Sequence, residues 1–165
     1  MISKKVILTG SFGVGKTSLF NLFIYQQFSD KYLTTIGVKI NKKNIEVDGK
    51  DMSLLLWDIA GEVAQDKVPA SYFLGASGIV YVMDLSRPTT FNNMKTDLEF
   101  LKKMLPDCSI VVVGNKKDLV SAERLQEIAD SATENLDFTT SAKTGENVEN
   151  LFLELGKRLL ENHWQ

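Results

Sequence analysis

Cysteine is almost missing from this chain: Cys108 is the only one in 165 residues. No intrachain disulfide can form, and a reducing compartment is expected. There is no surplus of positive charge either, with 19 Lys and Arg against 21 Asp and Glu for a net charge of −2. That balance argues against nucleic acid recognition, and any phosphate binding has to come from local geometry. No apolar run approaches transmembrane length. The run after Met1-Ile2-Ser3-Lys4-Lys5 stops at Thr9 and Gly10, too short for the core of a signal peptide. Ile2 stands where N-myristoylation needs glycine, and Glu161-Asn162-His163-Trp164-Gln165 holds no cysteine for prenylation. The expectation is a cytoplasmic protein with no lipid anchor visible in this chain. Internal repeats, linkers and low-complexity tracts are missing as well. With 44% hydrophobic and 24% charged residues, residues 1–165 read as one folded domain with a substantial core.

Against that plain background one stretch stands out. Gly10-Ser11-Phe12-Gly13-Val14-Gly15-Lys16-Thr17 fits the phosphate-loop pattern G-x-x-x-x-G-K-[ST]. Lys5-Val6-Ile7-Leu8-Thr9 before it reads as a buried strand, and Ser18 to Tyr25 after it as a helix. A triphosphate offers many acceptor oxygens, so the backbone must curl and aim successive N–H groups inward. Glycines permit that curl, and the helix start adds unpaired N–H groups and partial positive charge. Lys16 is expected to reach the β- and γ-phosphates, and the Thr17 hydroxyl to ligate Mg²⁺. A chance glycine-rich turn is the bland alternative, and the flanking strand and helix weigh against it.

Further along, Val38 to Val47 alternates apolar and polar residues, Asp48-Gly49 signals a hairpin turn, and Met52 to Trp57 returns as an antiparallel neighbour. Glu62 to Leu74 reads as an irregular helix with Pro69 inside it. Gly78 to Asp84 is a buried strand, Ser86 a candidate N-cap with Pro88 in the first turn. A helix follows on Phe91, Met94, Leu98, Leu101 and Leu105. Ser109 to Gly114 is strongly strand-like, Leu125 to Ala129 marks a short helix, and Leu136 to Thr140 is a short last strand. Val148, Leu151, Phe152, Leu155 and Leu159 give the apolar face of a closing helix. Strands alternating with helices predict an α/β fold: a doubly wound, mainly parallel six-stranded sheet with helices on both faces. Ligands of such sheets sit beyond the carboxyl ends of the strands. The loop at Gly10, Asp58, Asn115 and Ser141 all follow strands, so they converge on one face.

Each of these carries a chemical reading beside a bland one. Asp58 ends an apolar strand, where it could hold Mg²⁺ beside Thr17 or simply cap a helix. Gly61 would let its N–H approach a terminal phosphate. Asn115-Lys116-Lys117-Asp118 could read a base: guanine offers N1–H and a 2-amino group, and the Asp118 carboxylate accepts both, whereas adenine would leave it unpaired. Asn115 would tie this loop to the phosphate loop, and the stem of Lys116 would lie over the base. The alternative is a solvated charged turn. Ser141-Ala142-Lys143 would add N–H groups toward the base carbonyl. Phe28 could cover the ring edge or serve as a core anchor.

Taken together, Gly10 to Thr17, Thr35, Asp58-Ile59-Ala60-Gly61, Asn115 to Asp118 and Ser141 to Lys143 resemble, in order and spacing, the five motifs of the Ras superfamily of small GTPases. The resemblance spans the whole chain. Tyr32 to Val38, Trp57 and Tyr72 to Ala76 resemble the Rab branch most, although Ile40 stands where an aromatic is usual. It implies a switch cycling between GDP and GTP with Mg²⁺ and slow hydrolysis. The implied nucleotide contacts are Gly13, Val14, Gly15, Lys16, Thr17, Ser18, Phe28, Thr35, Gly61, Asn115, Lys116, Asp118, Ser141, Ala142 and Lys143. The implied metal ligands are Thr17, Thr35 and Asp58, and Glu62, Lys16, Thr35 and Gly61 stand at the chemistry. An effector, an exchange factor and an activating protein would bind through switch regions at about 28–40 and 59–76. Two residues depart from the pattern at the chemistry. Phe12 takes a position beside the γ-phosphate that is small in the family, and Glu62 replaces the glutamine that orients the attacking water. Both put the hydrolysis rate in doubt, and the rival reading is a non-hydrolysing GTP-bound scaffold used only for partner binding.

Overall fold

The computed structural model describes residues 1–26, 28, 37–61, 65–131 and 136–164. Thr35 and Glu62, together with Tyr32 to Ile36, lie outside the described residues. Six strands form one sheet in the order β2-β3-β1-β4-β5-β6. They are β1 (Ile2–Gly10), β2 (Val38–Val47), β3 (Lys50–Ile59), β4 (Ala76–Asp84), β5 (Ser109–Asn115) and β6 (Phe138–Thr139). Among the described residues β2 and β3 pair antiparallel, and the other neighbours pair parallel. Val47 pairs with Lys50, so Asp48-Gly49 is a two-residue hairpin loop. Its two residues have φ of 50° and 75°, the positive values that a type I′ turn requires.

The helices are α1 (Lys16–Tyr25), α2 (Ala70–Phe73), α3 (Met94–Met104), α4 (Ala122–Ser131) and α5 (Val148–His163). Strand alternation sends Val6 and Leu8 to one face and Ile7 to the other. The first face packs against Phe20 and Phe23 of α1 and Phe152 and Leu155 of α5. The second packs against Phe73 of α2 and Leu98 and Leu101 of α3. All five apolar positions expected on the closing helix are buried.

Three local expectations need correction. The irregular helix expected over Glu62 to Leu74 is a 3₁₀ turn at Gln65–Lys67 followed by the four-residue α2, with Pro69 at its N-cap. Proline has no N–H to give and its ring obstructs the preceding turn, so it starts a helix and does not sit inside one. Ser86 is not an N-cap: its N–H and hydroxyl both donate to Asp84 Oδ1, at 2.8 and 2.6 Å. Pro88 instead opens a 3₁₀ turn, Pro88–Phe91, and α3 begins only at Met94. Finally, β6 keeps just Phe138 and Thr139 of the expected five-residue strand.

Candidate functional site

The carboxyl ends of β1, β3, β4 and β5, and the loop after β6, meet at one edge of the sheet. The phosphate loop leaves β1 at Gly10. A Cβ there would lie 2.2 Å from the Val82 carbonyl of β4, so packing between strands requires this glycine. Gly15 takes the N-cap of α1 with φ 99° and ψ 21°. A Cβ on it would meet Asn115 Nδ2 at 2.2 Å, so the loop and the β5 end touch. The Lys16 ammonium curls back over the loop and donates to Gly10 O at 3.2 Å and Ser11 O at 2.8 Å. Ser18 follows in the first turn of α1.

Asp58 is fully buried at the end of β3, and the Thr17 hydroxyl donates to its Oδ2 at 2.6 Å. The carboxylate therefore meets the first turn of α1, directly after the phosphate loop. The two are hard oxygen donors side by side, the kind of partial set that suits Mg²⁺, which takes one or two protein oxygens and completes its octahedron with water and phosphate. A Cβ on Gly61 would lie 2.5 Å from Phe12 Cα and 2.9 Å from Lys16 Nζ. Gly61, Lys16 and the Phe12 backbone therefore line one small space, and the Phe12 side chain is 53% exposed at its edge.

The base-reading segment is locked from behind. Asn115 is buried; its Nδ2 donates to Val14 O at 3.1 Å, while its Oδ1 accepts from Thr140 Oγ1 at 3.0 Å and Ala142 N at 3.3 Å. Asparagine suits this place because it is donor and acceptor at once. Asp118 Oδ1 accepts from Ser141 Oγ at 2.8 Å, which ties the carboxylate to the loop after β6. Lys116 holds φ 65° and its ammonium donates to Gly13 O at 2.8 Å. Ala142 is buried and Lys143 exposed beside it. Phe28 is partly exposed, at 38%. The structure thus brings together Gly13 to Thr17, Asp58, Gly61, Asn115, Lys116, Asp118 and Ser141.

Two site residues were not anticipated. Asp84 is fully buried at the end of β4, and its Oδ2 pairs with Lys116 Nζ at 2.9 Å and Arg87 Nε at 3.3 Å. Arg87 Nη2 donates to Phe12 O at 2.6 Å. The signal was present: Asp84 ends an apolar strand just as Asp58 does. A second buried set lies under the 3₁₀ turn. Gln65 is wholly buried and Asp97 is 3% exposed. Gln65 N–H donates to Asp97 Oδ1 at 2.9 Å, Tyr81 OH donates to Asp97 Oδ2 at 2.6 Å, and Thr9 Oγ1 donates to Gln65 Oε1. Burial raises the Asp97 carboxyl above its ordinary value, against the pull of the bonds from Tyr81 and Gln65. Burial, then the bond and charge of Asp97, raise the Tyr81 phenol.

Sequence comparison agrees with this geometry. A model of the Ras family matches residues 5–161. The chain is similar to Ras-related protein RABE1e of Arabidopsis thaliana, 34% identical over 160 residues that cover 93% of this chain and 73% of that protein. It is 35% identical over 164 residues to GTP-binding protein ypt1 of Schizosaccharomyces pombe, covering 95% and 80%. It is 36% identical over 166 residues to Ras-related protein SEC4 of Candida albicans, covering 96% and 78%.

Proposed function

This chain belongs to the Ras family of small GTP-binding switch proteins, near its Rab branch, and we propose that it binds guanine nucleotides through the residues assembled above and hydrolyses GTP slowly. Residues 1–165 would form one such domain, working in the cytoplasm. The family binds GDP and GTP with Mg²⁺, and its GTPases meet effectors and regulators. In this chain those partners would dock on residues about 28–40 and 59–76.

The observation that carries the reading is the contact of Thr17 with Asp58 at 2.6 Å, in the same corner as Lys16 and Gly61. A hydroxyl and a carboxylate from two separate elements meet where a metal-bound phosphate would lie. Gly13 to Ser18 would cradle the phosphates, with Lys16 on the β- and γ-oxygens. When bound, Mg²⁺ neutralises charge on those oxygens. Thr17 and Asp58 would hold it, joined by Thr35 when GTP is present. Asp118 would accept the guanine N1–H and 2-amino group, with Lys116, Ser141, Ala142, Lys143 and Phe28 around the base.

Slow hydrolysis follows from two side chains. A glutamine amide can both accept from water and donate to a phosphate oxygen; an ionised Glu62 can only accept, and it brings negative charge toward negative charge. Phe12 adds bulk where an arginine finger from a partner would enter, and such a finger is worth ~10³–10⁵ in rate. Single-turnover cleavage by the parent is expected at or below the order of 10⁻⁴ s⁻¹ of an unassisted small GTPase. Glu62→Gln is expected to cleave faster. If it cleaves more slowly, Glu62 is a general base and this account of the rate is wrong; no cleavage by any of the proteins would favour the static scaffold. Base choice has its own check. Asp118→Asn should shift preference from guanine to xanthine nucleotides in competition titrations, and equal affinity of the parent for ATP and GTP would overturn the base assignment.

A further inference from the structure

We propose that Arg87 is a positioning residue for diphosphate binding, holding the phosphate loop in its receptive shape from the side opposite the nucleotide. The inference rests on the reading of Gly10 to Thr17 as the phosphate site and assigns that site a residue outside the loop itself.

The argument starts from the peptide unit. In a trans peptide the C=O of one residue and the N–H of the next point in opposite directions. A bond that draws the Phe12 carbonyl outward therefore aims the Gly13 N–H inward, and one on the Gly13 carbonyl does the same for the Val14 N–H. Both carbonyls are held by cations: Arg87 Nη2 on Phe12 O at 2.6 Å and Lys116 Nζ on Gly13 O at 2.8 Å. Both cations are anchored on one carboxylate, Asp84, which is fully buried. The carboxylate is itself fixed, since Ser86 donates its N–H and hydroxyl to Oδ1.

Arg87 is pre-arranged for this task. Its N–H donates to Asp84 O at 3.0 Å, and its own carbonyl accepts from the Thr90 N–H at 3.0 Å and the Thr90 hydroxyl at 2.8 Å. Pro88 fixes the backbone that follows. The guanidinium spans the two: Nε lies 3.3 Å from Asp84 Oδ2 as an ion pair without a hydrogen bond, while Nη2 donates to Phe12 O, a reach that suits its planar fork. A cation on a peptide oxygen also polarises that peptide and strengthens its N–H as a donor. The aimed N–H groups lie in the part of the loop that cradles the β- and γ-phosphates, so the effect belongs to the diphosphate and not to the base.

That distinction supplies the test. Affinities of GDP and GMP are measured for the parent protein, Arg87→Met and Arg87→Lys, alongside single-turnover GTP cleavage. Methionine keeps an aliphatic stem and removes the charge; lysine keeps the charge. Arg87→Met is expected to lose about tenfold in GDP affinity, the low end for a charged hydrogen bond because Arg87 is partly exposed. GMP, which lacks the β-phosphate, should bind within twofold of the parent. Arg87→Lys should recover most of the GDP affinity. Equal losses for GDP and GMP, or no loss for either, would overturn the proposal. So would unchanged GDP affinity with slower cleavage, which would place Arg87 on the transferred phosphate. Failure of the parent to bind either guanine nucleotide would instead refute the underlying reading of the site.

Discussion

Where α1 and α5 cover the sheet, away from the site edge, the buried side chains are apolar: Val6, Leu8, Phe20, Phe23, Leu54, Leu56, Phe152 and Leu155 among them. Where α2 and α3 cover it, Thr9, Gln65 and Asp97 lie buried among the apolar groups, with the Tyr81 hydroxyl joining them. The difference follows from what each face has to hold. Helix α5 runs sixteen residues and buries seven, enough area for non-directional contact to fix its place. The chain from Gln65 to Phe73 is a 3₁₀ turn and one four-residue helix, and its buried apolar residues are Val68 and Phe73. A segment that short gains little from area. Directional bonds from Asp97 and Thr9 fix its register, and a few such bonds can be released together. The segment held this way lies within residues 59–76, the proposed second switch region.

The largest expected effect comes from the apolar face. Phe152 stacks on Phe23 with ring centroids 3.9 Å apart and planes 17° from parallel. Phe152→Ala is expected to cost about 3–5 kcal/mol through lost contact and the cavity left behind. The check is the urea midpoint of the GDP-bound protein with the denaturant slope unchanged. A loss under about 1 kcal/mol would mean that this face can collapse around the gap, and the contrast with the polar face would weaken.

Asp97→Ala comes next. It strands the Gln65 N–H and the Tyr81 hydroxyl, at about 1–3 kcal/mol for buried groups left unsatisfied. The effect should be local as well as global. Amide exchange over Gln65 to Phe73 should quicken more than exchange in α5. Uniform quickening would show that the polar set belongs to the global core and holds no separate segment.

The same contrast separates what could be read in the sequence from what could not. The strand order's raw material, the Asp48-Gly49 turn and the apolar stripe of α5 are periodic or local signals, and each emerged as expected. Gly10 to Thr17, Asp58 and Asn115 to Asp118 were legible because they combine special residue types with strand ends. Asp84 carried the same mark as Asp58 and was passed over because no motif contains it; Arg87 acts through Asp84 and was hidden with it. The Gln65–Asp97 pair could not be found by pattern. Asp97 falls three positions after Met94 and looks like a solvated helix carboxylate, while its partner lies 32 residues away. Long-range polar pairing leaves no period in a sequence. Pro69 was visible inside the expected irregular helix, but a residue without an N–H starts a helix, and here it caps Ala70–Phe73.

The smallest expected effect concerns the charge on Asp97. Burial raises its carboxyl, opposed by the bonds from Tyr81 and Gln65 and reinforced by nearby Asp66. The folded protein therefore keeps this proton to higher pH than the unfolded chain does. Well below about pH 4, the unfolded value, both states are protonated and the contribution is constant. As pH rises from there through the raised folded value, the unfolded chain loses its proton first and stability falls; above that value the contribution is flat again. Asp97→Asn has no proton to lose. Its oxygen can still accept from the Gln65 N–H, and its amide can donate to the Tyr81 oxygen, since a phenol both donates and accepts. Asp97→Asn should therefore cost less than Asp97→Ala. Its stability relative to the parent should improve with pH across that window and then level off. Urea unfolding of both proteins at a series of pH values from 4 to 8 measures the difference directly. A difference that stays constant with pH would mean that Asp97 titrates alike in both states. Its hold on Gln65 and Tyr81 would then be that of a hydrogen-bond acceptor whose burial carries no electrostatic penalty.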